Sequence, residues 1–135
     1  MYNIMIHLIE VCMENKKKCY VSWRDVQDYV KEVADRYSRA SLTGVYGLPR
    51  GGLVLATMIS HRMNIPMLMA PTPGCLIVDD VSDSGRSLIH FTENDTQFNQ
   101  YHISTMYCDP RTSVVPEYYF GLKNNEWLVF PWEEF

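Results

Sequence analysis

Apolar positions recur along the chain at two different spacings, and together they predict alternating helices and strands. Over residues 23–38, apolar side chains return every three or four positions, which predicts an amphipathic helix with one buried face. Ser22 and Asp25 stand three residues apart at its start, a spacing typical of a helix-initiating capping box. A second helix is predicted over 53–63, where the sequence is apolar nearly all round and is therefore expected to be buried.

Short apolar runs lie between and beyond these helices and predict strands. The predicted strands cover residues 19–22, 42–46, 67–70, 75–78, 101–107, 118–121 and 127–130. Two further helices are expected, a short one over 3–13 and another over 88–93. Because strands and helices alternate, we expect an α/β fold, a mostly parallel twisted sheet with helices on both faces. In such a sheet, ligands bind beyond the carboxyl ends of the strands.

Length and charge exclude several classes of protein. The 135 residues predict a single domain, 1–135, in which residues 1–18 form an N-terminal extension. A net charge of −4 argues against a nucleic-acid partner, because nucleic-acid binding usually needs a basic surface. A small anionic ligand stays possible, since backbone amides can hold phosphate on an acidic protein. The absence of a signal peptide or membrane-spanning stretch favours a cytoplasmic protein with no membrane partner.

The segment LIVDDVSDSGRSL, residues 76–88, carries the strongest chemical signal. An apolar strand leads into two adjacent carboxylates, Asp79 and Asp80, and then into a turn of small residues over 82–87. Backbone N–H groups of such a turn, at the start of a helix, can bind a phosphate. The carboxylates can accept hydrogen bonds from sugar hydroxyls. The pattern therefore predicts a site for a ribose 5-phosphate, and the plain alternative is an acidic turn with capping serines.

A second glycine-bearing loop, GLPRGG at 47–52, follows an earlier predicted strand. Both loops should lie at the carboxyl ends of parallel strands and line one crevice. Arg50 offers a fork of donors that suits pyrophosphate oxygens. Taken alone, the loop fits equally well a turn whose glycines allow close packing of helix on strand.

The stretch VDDVSDSG at 78–85 resembles the phosphoribosyl-pyrophosphate (PRPP) motif of type I phosphoribosyltransferases, with Ser84 where a threonine is usual. The end of the chain, EWLVFPWE at 126–133, is similar to the tail of the xanthine–guanine and hypoxanthine branch. The stretch YVSWRDVQDYV at 20–30 is similar to the start of that branch. The resemblance spans residues 20–133, nearly the whole chain.

This resemblance implies the type I phosphoribosyltransferase fold and the transfer of a 5-phosphoribosyl group from PRPP to a nucleobase, a purine, with release of pyrophosphate. It also implies Mg²⁺ as cofactor and a homodimer. Asp79 and Asp80 would hold the ribose hydroxyls and contact the metal indirectly, through ribose or water. Asp83 would lie near the purine N7 as general base.

The resemblance assigns the remaining subsites as well. The 5′-phosphate would be bound by Asp83, Ser84, Gly85, Arg86 and Ser87. Pyrophosphate would be bound by Leu48, Pro49, Arg50 and Gly51, where this family often has a strained peptide bond. In the tail, residues 122–135, Trp127 would stack on the base and the Leu128 backbone would meet its edge, while we expect Trp132 to be structural.

The sequence departs from the family pattern at two places. The family has a long mobile loop that covers the site, whereas here only PTPG joins Ala70 to Cys75. The purine branch also has a lysine before a proline, which donates to the 6-oxo group of the base. Asp109 takes that position here, so we expect it at the base, unless it only forms the turn before Pro110 or leaves the donor role to Arg111.

These departures keep two other hypotheses open. A short loop and an acidic Asp109 would suit a PRPP- or nucleotide-binding regulatory module with weak or no catalysis. A receiver-like domain would also have paired acids that bind magnesium. In that class the acids follow the first strand, whereas Asp79 and Asp80 follow at least two predicted strands.

Overall fold

The computed structural model of the protein describes residues 16–92 and 101–134. The described elements are β1 (Lys18–Tyr20), α1 (Trp23–Arg36), β2 (Val45–Gly47), α2 (Gly51–Met63), β3 (Leu76–Ser82), β4 (His102–Cys108), β5 (Tyr118–Leu122) and β6 (Trp127–Val129), with 3₁₀ helices at Ile89–Phe91 and Pro131–Glu133. The helix predicted over 3–13 lies outside the described residues. Neither α1 nor α2 is long and apolar enough to cross a membrane.

Four strands form one parallel sheet in the order β2-β3-β4-β5, and β1 pairs in parallel with β6 in a second, two-stranded sheet. The register places Val78 opposite Ser104, and Ser104 opposite Tyr118. The predicted α/β fold with a mostly parallel sheet is therefore confirmed. Because the strands are parallel, the carboxyl ends of all four lie at one edge, called the carboxyl edge below.

Helix α1 forms as its periodicity predicts. Ser22 accepts from the backbone N–H of Asp25 at 3.1 Å, and the Asp25 carboxylate accepts from the Ser22 backbone N–H at 3.0 Å. These two bonds make the predicted capping box and fix the start of the helix. The buried side chains of α1 join those of α2 in the larger hydrophobic cluster. Both α-helices therefore cover the same face of the four-stranded sheet.

The opposite face is covered by a smaller hydrophobic cluster that includes Leu88, Ile103 and Val114. The helix predicted over 88–93 is, in the described part of the chain, a single 3₁₀ turn at Ile89–Phe91. The backbone N–H of Phe91 donates to the Leu88 carbonyl at 3.0 Å, and that of Thr92 donates to the Ile89 carbonyl at 3.1 Å, and these two bonds form the turn.

Strand β3 is longer than predicted and contains the acidic pair. It runs to Ser82, although the sequence predicts its end at residue 78. Aspartate is a poor strand former, but pairing with β4 continues past it, with Asp79 opposite Thr105 and Ser82 opposite Cys108. Conversely, the strand predicted over 67–70 is reduced to a single bridge between Met67 and Val45.

The start of α2 lies directly on β3, because Gly52 has no side chain. A Cβ at Gly52 would lie 2.5 Å from the Val78 carbonyl oxygen and 3.3 Å from the Asp79 Cα atom. Both neighbours are backbone atoms and cannot turn away. The absence of a side chain at this position therefore sets the distance between the first turn of α2 and the acidic pair.

Replacing Gly52 with alanine should lower the free energy of unfolding by about 1–3 kcal/mol, because the helix must move away from β3 to accept the methyl group. Urea denaturation measures this change. Arg62→Lys, an exposed change on the same helix, is the control and should stay within about 0.5 kcal/mol of the parent. Equal stability of Gly52→Ala and the parent would contradict the close approach.

Candidate active site

The carboxyl edge of the sheet holds a cavity of about 690 Å³. Its lining consists of Pro49, Arg50, Gly51, Val54, Asp79, Asp80, Trp132 and Glu133. The glycine-bearing loop and the acidic pair, both singled out in the sequence, therefore face one space. Trp132, expected to be structural, stacks on Phe130 with ring centroids 5.0 Å apart and also lines this cavity.

The acidic pair is held by its own backbone. One Asp79 carboxylate oxygen accepts from the Asp80 backbone N–H at 2.8 Å, and one Asp80 oxygen accepts from the Val81 backbone N–H at 2.8 Å. Burial, followed by the neighbouring Asp80 charge, raises the pKa of Asp79 to about 8. Without a ligand, Asp79 is therefore mostly protonated at neutral pH, and a cation or hydroxyl donors at this place would favour its ionised form.

The loop predicted to bind pyrophosphate is fixed at both ends. Leu48 donates its backbone N–H to the Val78 carbonyl at 3.0 Å and accepts from the Gly52 N–H at 2.8 Å. The peptide bond between Pro49 and Arg50 is cis. The exposed Arg50 side chain makes no capping hydrogen bond to α2 and lines the large cavity. The loop thus presents a cation and the amino end of a 13-residue helix to the same space.

The loop over residues 83–87 has the geometry of an anion cradle. Gly85 has a φ of +87°, and a Cβ there would lie 2.8 Å from the Val114 backbone nitrogen. Ser113 donates its backbone N–H and its hydroxyl to the Ser84 carbonyl, at 3.1 and 2.8 Å, and so fixes the loop from outside. Among the described residues, the backbone N–H groups of 83, 84, 85 and 87 have no hydrogen-bond partner. Four donors in one turn can bind one phosphate group.

A second cavity, of about 190 Å³, adjoins the acidic pair and is called the base cavity below. It is lined by Asp80, Val81, Asp83, Lys123, Trp127, Leu128, Phe130 and Glu133. Three residues named from the sequence, Asp83, Trp127 and Leu128, therefore line one cavity. Trp127 is 37% exposed, so its ring can be reached by a flat ligand.

Lys123 was not singled out in the sequence. Its ammonium donates to the Asp83 carboxylate at 3.1 Å, across forty positions of the chain. A signal was present, because Lys123 follows the predicted strand over 118–121 and so had to lie at the carboxyl edge. The tail residue Glu133 was missed as well. It accepts from the Phe130 backbone N–H at 3.0 Å and lines both cavities.

Asp109, predicted from the sequence to contact the base, is bonded within its own loop at the carboxyl edge. Its side chain is 3% exposed, and it accepts from the Arg111 backbone at 2.8 Å and from the Arg111 guanidinium at 3.2 Å. These bonds lower the pKa of Asp109 to about 2. Asp109 lines a separate cavity, with Arg111 and Lys123, and not the base cavity. These bonds agree with the turn-forming alternative, and contact between Asp109 and a base stays a prediction.

Comparison with known proteins identifies the class. No protein-family model matches the chain. A xanthine-guanine phosphoribosyltransferase of Cereibacter sphaeroides is 26% identical over 153 aligned positions, covering 90% of each chain. The crystal structure of a purine phosphoribosyltransferase from Pyrococcus horikoshii is 31% identical, with a TM-score of 0.74, and covers 87% of this chain and 95% of that one. A xanthine-guanine-hypoxanthine phosphoribosyltransferase from Helicobacter pylori is 16% identical, with a TM-score of 0.66, and the match covers 86% of this chain and 94% of that one. At this identity the likeness supports the fold alone.

The parallel sheet and these relatives together define a type I phosphoribosyltransferase. Within that class, the chain belongs to the purine phosphoribosyltransferase family. The resemblance seen in the sequence is therefore confirmed.

The raised pKa of Asp79 predicts how stability depends on pH. Between about pH 4 and pH 8, the folded state keeps the Asp79 proton while the unfolded state has lost it, so this residue destabilises the fold increasingly as pH rises. The free energy of unfolding of Asp79→Asn should equal that of the parent near pH 4 and exceed it by at least about 1 kcal/mol at pH 8.

Thermal unfolding at the two pH values measures this difference, expected as a rise of about 3 °C at pH 8. Asp28→Asn, an exposed change on α1, serves as control and should show no such trend. If Asp79→Asn raises the melting temperature by the same amount at both pH values, the burial argument is contradicted.

Proposed function

We propose that the protein transfers the 5-phosphoribosyl group of PRPP to a purine base and releases pyrophosphate. One observation carries the proposal. Three kinds of site lie along the carboxyl edge: a cradle of backbone N–H groups over 83–87, a pair of carboxylates, and a loop with the exposed Arg50 guanidinium. They match the three parts of PRPP, namely its 5-phosphate, its ribose hydroxyls and its pyrophosphate.

Each part of PRPP has a proposed partner. The 5-phosphate would accept from the backbone N–H groups of Asp83, Ser84, Gly85 and Ser87, with the Ser84 and Ser87 hydroxyls and the exposed Arg86 beside them. The ribose 2′- and 3′-hydroxyls would donate to Asp79 and Asp80. Pyrophosphate would lie against Leu48, Pro49, Arg50 and Gly51, where the arginine fork can hold two oxygens at once.

The base would occupy the base cavity, stacked on Trp127, with the Leu128 backbone at its edge. A ring nitrogen of the base forms a bond to the anomeric carbon of the ribose while the bond from that carbon to the pyrophosphate oxygen breaks. Pyrophosphate leaves with the electron pair of that bond. The base loses its N–H proton to the Asp83 carboxylate, which lines this cavity.

The donor set at the acidic pair fits Mg²⁺. Carboxylate oxygens are the ligands that this cation prefers, and the raised pKa of Asp79 marks a place where a nearby cation would be stabilising. No group of three or more metal-ligating side chains occurs within the described ranges, so Asp79 and Asp80 would hold the ion through ribose oxygens or water. When bound, Mg²⁺ would neutralise charge on the pyrophosphate.

We further propose a homodimer that works in the cytoplasm. Leu53, Met67 and Met69 are exposed apolar side chains, and Met67 lies against α2, with its sulfur 3.5 Å from the Thr57 hydroxyl. A second chain could cover this surface. The free thiols of Cys19, Cys75 and Cys108 suit a reducing compartment.

We propose that the connection between α2 and β3 does not act as a lid. The hydroxyl of Thr43 donates to the Pro73 carbonyl at 3.1 Å, and its backbone N–H donates to the Gly74 carbonyl at 3.1 Å. Both bonds hold this connection at the amino end of β3. The proposed site lies at the opposite end of that strand.

Substitution of the proposed base tests the reaction. Asp83→Asn should lower kcat for nucleotide formation by about 10²–10⁴-fold, because the amide cannot take the proton from the base. The affinity for PRPP should change only a few-fold, since the cradle uses backbone N–H groups. Chromatography of the products over a panel of purines, together with binding calorimetry with PRPP and Mg²⁺, measures the two effects.

Asp35→Asn, an exposed change on α1, is the matched control and should leave both quantities unchanged. Turnover that survives in Asp83→Asn would remove Asp83 as the base. A parent protein that binds PRPP but converts no purine would remove the proposed reaction itself.

A further inference from the structure

Lys123 is a charged residue of the base cavity that the proposed reaction does not use. Its backbone N–H donates to the Cys108 carbonyl at 2.9 Å, which fixes the residue where β4 and β5 both end. The side chain is only 13% exposed, although its head is an ammonium. A lysine anchored in this way directs its charge inward, because the covered stem limits where the head can go.

The ammonium reaches the cavity beside Asp83. Its Nζ atom lies 3.1 Å from the Asp83 carboxylate, whose side chain is 61% exposed. An ammonium has three donors, and this ion pair uses one of them. A flat ligand against Trp127 would therefore meet a charged donor and a charged acceptor side by side.

No other cation of the described residues lines the base cavity. Arg111 donates to Asp109 through both its Nε and Nη2 atoms and is 77% exposed. It lines the neighbouring cavity instead. The remaining charged groups around the ligand, Asp80 and Glu133, are acceptors when ionised and cannot replace the donor of Lys123.

We propose that Lys123 determines which bases the site accepts, by donating to an oxo oxygen of the base while Asp83 accepts from the adjacent ring N–H. The inference rests on the proposed function, since it requires a purine in this cavity. A 6-oxopurine with a proton on N7 presents an acceptor next to a donor, which complements the Lys123–Asp83 pair. A 6-aminopurine places its amino group, a donor, against the Lys123 ammonium, which is also a donor. Neither group then has an acceptor.

Two unreactive analogues isolate this contact. In 9-deazahypoxanthine and 9-deazaadenine, carbon replaces the attacking nitrogen and N7 keeps its proton, so the pair differs in the oxo or amino group. Calorimetry of each analogue with the full chain, PRPP and Mg²⁺ gives the preference for the oxo compound. We expect at least about a 10-fold preference in the parent, because hydrogen bonds to charged donors contribute about 10- to 100-fold.

Four variants decide the question. Lys123→Met should reduce the preference to less than about 3-fold, mainly by weakening the oxo analogue. Lys123→Arg should retain it, because the guanidinium is also a charged donor. Arg111→Met, the matched cation control, should also retain it. If Lys123→Met does not fold, as judged by its thermal transition, Lys123→Gln takes its place and should reduce the preference in the same direction.

The inference is overturned if Lys123→Met keeps the parent preference, if Arg111→Met loses it, or if the parent binds both analogues equally or not at all. Its failure is distinct from failure of the proposed function. Binding of the oxo analogue without conversion of any purine would remove the reaction and leave the role of Lys123 intact. If the parent converts purines and Lys123→Met keeps the preference for the oxo analogue, the proposed reaction stands and the role of Lys123 is removed.

Discussion

The site depends on the contact between the start of α2 and strand β3. Because Gly52 has no side chain, backbone lies on backbone, and the Leu48–Val78 hydrogen bond fixes the loop between them. This contact places the guanidinium of Arg50 and the two carboxylates of β3 around one cavity. The proposed phosphate cradle also depends on a glycine, since Gly85 lets its loop lie against the Val114 backbone nitrogen and the hydroxyls of Thr112 and Ser113. Both proposed subsites are therefore positioned by close packing at a glycine.

The carboxyl edge concentrates negative charge. It brings together four aspartates, namely Asp79, Asp80, Asp83 and Asp109. Lys123 pairs with Asp83, and Arg111 pairs with Asp109. In the described part of the chain the adjacent carboxylates of β3 have no such cation, and the pKa of Asp79 rises as a result of burial and of its neighbour. The uncompensated charge therefore lies where ribose hydroxyls and a metal ion are proposed to bind, and the ligand itself supplies the missing partner.

Local chemistry decided what could be predicted from the sequence. The acidic pair and the loop over 83–87 were visible because all their groups lie within nine consecutive residues, and α1 was visible because one helix face repeats. The extension of β3 through Asp79 was not visible, because pairing with β4 overrides the low strand preference of aspartate. Lys123 was missed for a related reason. Its contact with Asp83 exists only through the register of β3, β4 and β5, which no local pattern encodes.

If the α2–β3 connection does not act as a lid, as proposed above, the proposed reaction depends on how the site positions its reactants. The alignment with the Cereibacter relative spans 153 positions, more than the 135 residues of this chain, so this chain lacks segments that the relative has. Any closure over the acidic pair must then come from elsewhere. The tail supplies a rigid wall, because Trp132 is stacked on the buried Phe130. A site built from fixed walls would lower the barrier of the proposed reaction mainly by holding the reacting atoms in line, and the ion pair with Lys123 limits where the proposed base, Asp83, can move.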